Sequence, residues 1–211
     1  MIKMVTVGPL GVNCYIISCD RTKEGVVVDP GGDADYILEE VRRHEVSVKY
    51  ILNTHGHFDH VGANDEVKKA TGAEVRIHPA DERLLADASD HGAMFGVPTK
   101  SQAAADGPLE DGMVLSVGDV SLTVLHTPGH TKGGVCLAGD GFVVTGDTLF
   151  AGSVGRTDFP GGNYGQLIRS IREKLFPLAD ASVVLPGHGP TSTMAHEKRS
   201  NPFIKDAEPV S

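Results

Sequence analysis

Residues 54–60 read THGHFDH and follow directly on the apolar run KYILN at 49–53, so four metal-ligand side chains, His55, His57, Asp59 and His60, crowd onto the loop that leaves one strand. Residues alternating in an extended segment share a side, so His55 and His57 can converge on one cation while Asp59 and His60 turn toward a second. Three later segments share this form, a β-rich stretch ending in a Gly- or Pro-marked turn with a ligand-type residue. They are LTVLHTPGH with His130, FVVTGD with Asp147 and SVVLPGH with His188. Strand ends are where a rigid scaffold presents chemistry on loops, and turn glycines and prolines fix the backbone there. The chain must therefore fold so that four strand ends meet.

Together these positions supply five imidazoles and two carboxylates, enough for three or four protein ligands on each of two divalent metal ions with one carboxylate shared. A set of imidazole and carboxylate without thiolate suits zinc first, and iron or manganese as well. His44, His78, His91, His126 and His196 lack the same context and read as surface or packing residues. The three cysteines lie outside any CxxC pair; Cys14 and Cys19 cannot pair within one strand, and all three read as small packing residues in a reducing compartment.

Strands are expected near 2–7, 12–19, 25–29, 49–53 and 73–77, with helices near 33–44 and 63–71 and from Pro79. Asp33 is a possible cap of the first helix. Residues 89–108 show no clear period and read as a surface loop or lid. Strands follow near 113–117, 120–126, 134–138 and 142–145, then a Gly-rich loop at 152–162, a helix near 163–176, a strand at 182–186 and a terminal helix. Two β-rich halves, each closing with helices, predict an α+β fold of two packed sheets with helices outside, in one domain spanning 1–211. The formal charge of -9 disfavours a nucleic-acid partner. No stretch has the length of a membrane span and the first residues lack a signal-peptide core, so no membrane partner is expected and the location reads as cytoplasmic.

With THGHFDH, TPGHT, GDTLF and PGHGP in order, the sequence resembles the metallo-β-lactamase superfamily, whose signature is HxHxDH followed by a His, a bridging Asp and a final His. The resemblance implies an αββα sandwich of two mixed β-sheets with the metals at one edge. It implies His55, His57 and His130 on one metal, Asp59, His60 and His188 on the other, and Asp147 between them. VDPGGDAD (28–35), GDTLFAGSVGRTDFPGG (146–162), KLFPL (174–178), PGHGPTST (186–193) and NPFIKD (201–206) are similar to the short glyoxalase II-like, or hydroxyacylglutathione hydrolase, group.

That group implies a small-molecule thioester substrate, S-D-lactoylglutathione or another glutathione conjugate, cleaved to a hydroxy acid and a thiol by a metal-bound hydroxide, with Asp59 as the catalytic carboxylate. The long form carries a helical C-terminal extension that helps hold glutathione; only about twenty residues follow PGHG in this sequence, so that way of holding glutathione is not expected here. Where the long form has Lys and, two residues on, Tyr, this sequence has Arg156 and Asp158. Arg156 can take a substrate carboxylate in bidentate fashion, or close a salt bridge to Asp158. Two other readings are a persulfide dioxygenase with one iron on His55, His130 and Asp147, and a non-catalytic metal-binding module. PGHGP departs from the first.

Overall fold

The computed structural model describes residues 1–205; Asp206, the last residue of NPFIKD, lies outside the described residues. The first half forms a mixed six-stranded sheet from β1 (Ile2–Val7), β2 (Val12–Ser18), β3 (Glu24–Val28), β4 (Ser47–Leu52), β5 (Glu74–Ile77) and β6 (Gly107–Pro108), in that order. β1 to β3 pair antiparallel, and β3 to β6 run parallel. Parallel neighbours need crossovers; α1 (Ala34–Arg43) lies in the one from β3 to β4, α3 (Asn64–Thr71) in the one from β4 to β5, and residues 78–106 make the one from β5 to β6. The second half forms another mixed sheet in the order β14-β13-β10-β9-β8-β7, with β7 at Val114–Val117, β8 at Val120–His126, β9 at Val135–Gly139, β10 at Phe142–Gly146, β13 at Val183–Pro186 and β14 at Ser192–Thr193. A hairpin of β11 (Leu149–Phe150) and β12 (Ser153–Val154) precedes α6 (Tyr164–Ser170), and α7 (Met194–Ser200) and α8 (Pro202–Lys205) close the described chain.

Side-chain alternation makes three apolar layers. In β2, Tyr15 and Ile17 enter the core between the sheets, while Cys14 and Ile16 face the layer shared with Ile37 of α1 and Val67 of α3. Val144 and Leu185 likewise point to the inter-sheet core, and Val143 and Val184 to the layer with Leu167 and Met194. Every residue of β2 is buried, as expected of a strand covered on both faces. The result is an α+β fold, two mixed sheets face to face with helices outside. The three cysteines are buried and free.

Some local expectations differ from the structure. Asp33 precedes α1 but does not cap it; its carboxylate accepts from the Gly8 amide at 2.8 Å. The histidine-rich loop contains a helical turn, α2 (Phe58–Val61), and the helix expected from Pro79 is a 3-10 turn followed by α4 (Glu82–Ala86). Within 89–108, α5 (Ala88–Met94) occupies the first part, and its buried face consists of Ala88 and Gly92, too small to mark a period. The helix expected over 163–176 passes from α6 into a π-helical stretch at Ile171–Leu175.

The sheets are tied at the end where β13 stops. The Asn13 side chain donates to the carbonyls of Pro186 (3.0 Å) and Gly189 (2.9 Å), its backbone donates to Gly187, and the buried Tyr15 hydroxyl donates to Pro186 at 2.7 Å. Tyr15→Phe removes one of two donors to Pro186 and should lower unfolding stability by about 0.5–1.5 kcal/mol. Asn13→Ala removes two side-chain hydrogen bonds, to Pro186 and Gly189, and should cost more, about 1–3 kcal/mol. Urea unfolding of both variants measures the difference.

Candidate metal centre

All seven ligand-type residues come together at one edge of the sandwich. His55 and His57 follow β4, with His57 at the start of α2 and Asp59 and His60 within it; His130 follows β8, Asp147 follows β10 and His188 follows β13. Nδ1 of His57 lies 3.1 Å from Nε2 of His55 and 3.0 Å from Nε2 of His130, so three ring nitrogens face one point. Nε2 of His188 lies 3.4 Å from Nε2 of His60 and 3.3 Å from Oδ2 of Asp59. His55, His57 and His130 form one group that could hold a cation, Asp59, His60 and His188 a second, and His55, His60 and Asp147 a third. Asp147 lies between the first two: Oδ1 is 3.3 Å from His60 Nε2, and Oδ2 is 3.6 Å from His130 Nε2 and 3.8 Å from His188 Nε2.

Hydrogen bonds on the far side of the rings fix which nitrogen is free. His60 Nδ1 donates to Asp29 Oδ2 at 3.0 Å, and His130 Nδ1 donates to the Arg156 carbonyl at 2.7 Å, so Nε2 of each ring is the atom turned toward the site. The Thr54 hydroxyl donates to Asp29 Oδ2 at 2.6 Å and so can accept from His55 Nδ1, 3.2 Å away. Asp29 thus orients His60 directly and His55 through Thr54, while its other oxygen accepts the Thr54 amide at 2.7 Å. Asp81 ties two ligand loops, accepting from Gly56 at 3.1 Å and Gly133 at 2.6 Å. Asp29 and Asp81 are each 1% exposed, and sequence reasoning assigned neither a role. Asp29 had a signal: it ends VVVDP, an apolar run closing on a carboxylate, the same form as FVVTGD.

The electrostatics divide the donors into ready ligands and ionised carboxylates. Burial, then the neighbouring His60 and His57, holds the His55 ring well below its ordinary pKa, and burial, then His130 and His91, brings His57 to about 3. Both rings stay neutral with lone pairs available. Burial opposes charge on Asp147, yet His60, His130 and His188 draw its carboxyl well below the usual range. Burial likewise acts against ionised Asp59, and His60 and His188 outweigh it. His60 is held the other way: burial disfavours its charge, but Asp147, Asp59 and Asp29 raise it well above the ordinary value.

Oδ1 of Asp147 is buried with no hydrogen-bond partner among the described residues, and a Cβ at Gly187 would press on that same oxygen and on the His60 ring. A buried acceptor without a hydrogen-bond partner in a cradle kept open by glycine, ringed by imidazole nitrogens, fits divalent cations.

Arg156 does not point a free guanidinium at the site. It makes two 2.7 Å bonds to Asp158 and lies 3.8 Å over the Phe159 ring. Of the histidines read as surface or packing groups, His91 instead lines the site, its ring 5.0 Å from His57 and 5.9 Å from Phe159. His78 and His126 stack on one another at 4.1 Å, and His44 lies beside Glu40.

Residues 7–188 match the sequence profile of the Metallo-beta-lactamase superfamily. The chain is 37% identical over 212 residues to Hydroxyacylglutathione hydrolase GloC of Haemophilus influenzae, across 96% of this chain and 97% of that one. Its fold is similar to the BLEG-1 B3 metallo-beta-lactamase, with a TM-score of 0.91 and 36% identity over 97% of this chain and 99% of that one. It is also similar to TTHA1623 in a di-iron-bound form, with a TM-score of 0.88 and 36% identity over 95% and 99%.

Because Asp29 orients two rings at once, Asp29→Asn should lower zinc affinity by about 10–100-fold with the fold retained. Competitive titration against a chromogenic chelator, with circular dichroism as the fold control, measures it; unchanged affinity would remove Asp29 from this role.

Proposed function

The chain belongs to the metallo-beta-lactamase superfamily, and on that premise we propose that it hydrolyses acyl thioesters, S-D-lactoylglutathione or a related hydroxyacylglutathione first among them. The observation that carries this reading is the position of Asp147, one carboxylate facing two groups of ring nitrogens. In this reading His55, His57 and His130 hold one metal, Asp59, His60 and His188 hold the other, and Asp147 bridges. The name of the Haemophilus influenzae relative supports the substrate class. Zinc is the metal we place first; the di-iron form of TTHA1623 supports iron as the alternative, and manganese suits the same donors.

Bound there, two divalent cations supply the acidification of a water, from a pKa of about 15.7 toward ~7, and the polarisation of the thioester carbonyl. The protein's share is orientation and proton handling. Asp59, ionised and 3.3 Å from His188, accepts a hydrogen bond from the attacking water and aligns it on the carbonyl carbon. The fixed tautomers of His60 and His130 keep their donor atoms aimed inward without rearrangement. Phe58, Phe95 and Phe159 shield one side of the site from bulk water. The water oxygen bonds to the carbonyl carbon as its proton passes to Asp59 or to solvent, and collapse of the tetrahedral adduct breaks the carbon–sulfur bond; the sulfur leaves as a thiolate, which, with a thiol pKa of ~8.5, needs no strong acid.

The BLEG-1 likeness favours a second reading, hydrolysis of a β-lactam amide at the same site. Metal analysis with turnover of S-D-lactoylglutathione and of a chromogenic cephalosporin separates the two. We expect two metals per chain and release of lactate and free thiol; turnover of the cephalosporin alone would overturn the thioester reading. One iron per chain with oxygen uptake on glutathione persulfide would replace both by a dioxygenase.

Asp147→Asn should lose metal and lower kcat/KM by at least about 100-fold, the upper end of what outer ligand-shell changes cost. A variant retaining both metals and full turnover removes Asp147 from the bridging position.

A further inference from the structure

Beside the metal-ligand groups lies an open cavity of about 370 Å³ walled by His57, Leu84, His91, Met94, Phe159 and Pro160. It adjoins a smaller one of about 160 Å³ directly over the ligand side chains, and the two share His57, His91 and Phe159. The larger volume lies in the ~300–1,000 Å³ range of small-ligand sites and equals that of on the order of ten waters. A lactoyl group, three carbons with a hydroxyl, leaves most of it unfilled and has little use for its apolar walls.

Two further features bear on what fills it. Met94 is 80% exposed at the end of α5, and the adjoining Phe95, 42% exposed, packs one side of its ring on Phe58 and Phe159. The rim carries Arg83 bonded to Asp87 at 3.2 Å, with Asp90 as a further acid, so its charge is net negative. An anionic thiol arm such as glutathione is repelled there, whereas an uncharged hydrocarbon is not. Arg156, already engaged by Asp158, adds no free cation to reverse that balance.

We propose that this cavity receives the acyl group, and that the preferred substrates carry straight-chain apolar acyl groups longer than lactoyl, with the thiol arm directed toward the smaller cavity. This rests on the thioester reading above and names its substrate class.

The test is a kcat/KM series on the metal-loaded enzyme with S-acetyl-, S-D-lactoyl-, S-butyryl-, S-hexanoyl- and S-octanoylglutathione. Each methylene that enters the cavity should raise kcat/KM by up to about fourfold, the equivalent of about 0.8 kcal/mol, until the cavity is filled. Met94→Glu, at an exposed position where folding is little affected, should lower the hexanoyl-to-acetyl ratio by about tenfold, in the range for burying a methionine side chain. A flat or falling series with lactoyl turned over overturns the proposal and leaves the thioester reading standing. If no thioester is cleaved, the thioester reading falls, and binding of the uncleavable thioethers S-octyl- and S-methylglutathione still decides the cavity. Saturable shifts of the Met94 methyl resonance with the octyl compound alone support its occupancy by hydrocarbon; identical or absent shifts overturn it.

Discussion

Desolvation governs the arrangement of this molecule. Two carboxylates and five imidazoles turn their acceptor atoms toward one small volume, where water is largely excluded and like groups face each other at hydrogen-bond distances. Such a cluster is unfavourable unless each donor is held from behind. The support is specific: Asp29 behind His60 and Thr54, a carbonyl behind His130, Asp81 between the loops that carry His57 and His130. These groups lie at strand ends or in the turns beyond them, so the sheets set their spacing and the site inherits the rigidity of the core.

The two sheets contribute unequally. The first supplies β4 and the loop with four of the seven ligands, and the second supplies three single residues after β8, β10 and β13. A relative slide of the sheets would pull these groups apart. Apolar packing between the sheets resists separation but is non-directional, so register along the interface depends on bonds such as those of Asn13 and Tyr15 to the turn carrying His188.

Much of this was legible in the sequence because it is periodic or dense. Unbroken apolar runs in VVVDP, FVVTGD and SVVLP announced strands, and THGHFDH packed its donors too closely for accident. What the sequence concealed was marked by small or ordinary residues. The helix at Ala88–Met94 buries alanine and glycine, which leave no hydrophobic stripe. His91 resembled any surface histidine because its partners, His57 and Phe159, are distant in sequence and reach it only through tertiary packing. Asp81 was invisible for a similar reason, since its role is to accept two glycine amides, one of them 52 positions away. Arg156 had two open roles in the sequence, and the structure pairs it with its neighbour Asp158.

Arg156 also separates two kinds of heritable change. Its contribution to His130 is a main-chain carbonyl, which every amino acid possesses, whereas its guanidinium belongs to the mouth of the site. Replacement of the side chain therefore leaves the ring orientation in place while altering the charge and shape that an incoming molecule meets. A lineage can explore new substrates at position 156 without putting its metal centre at risk, and divergence at the rim can outpace divergence at the ligands.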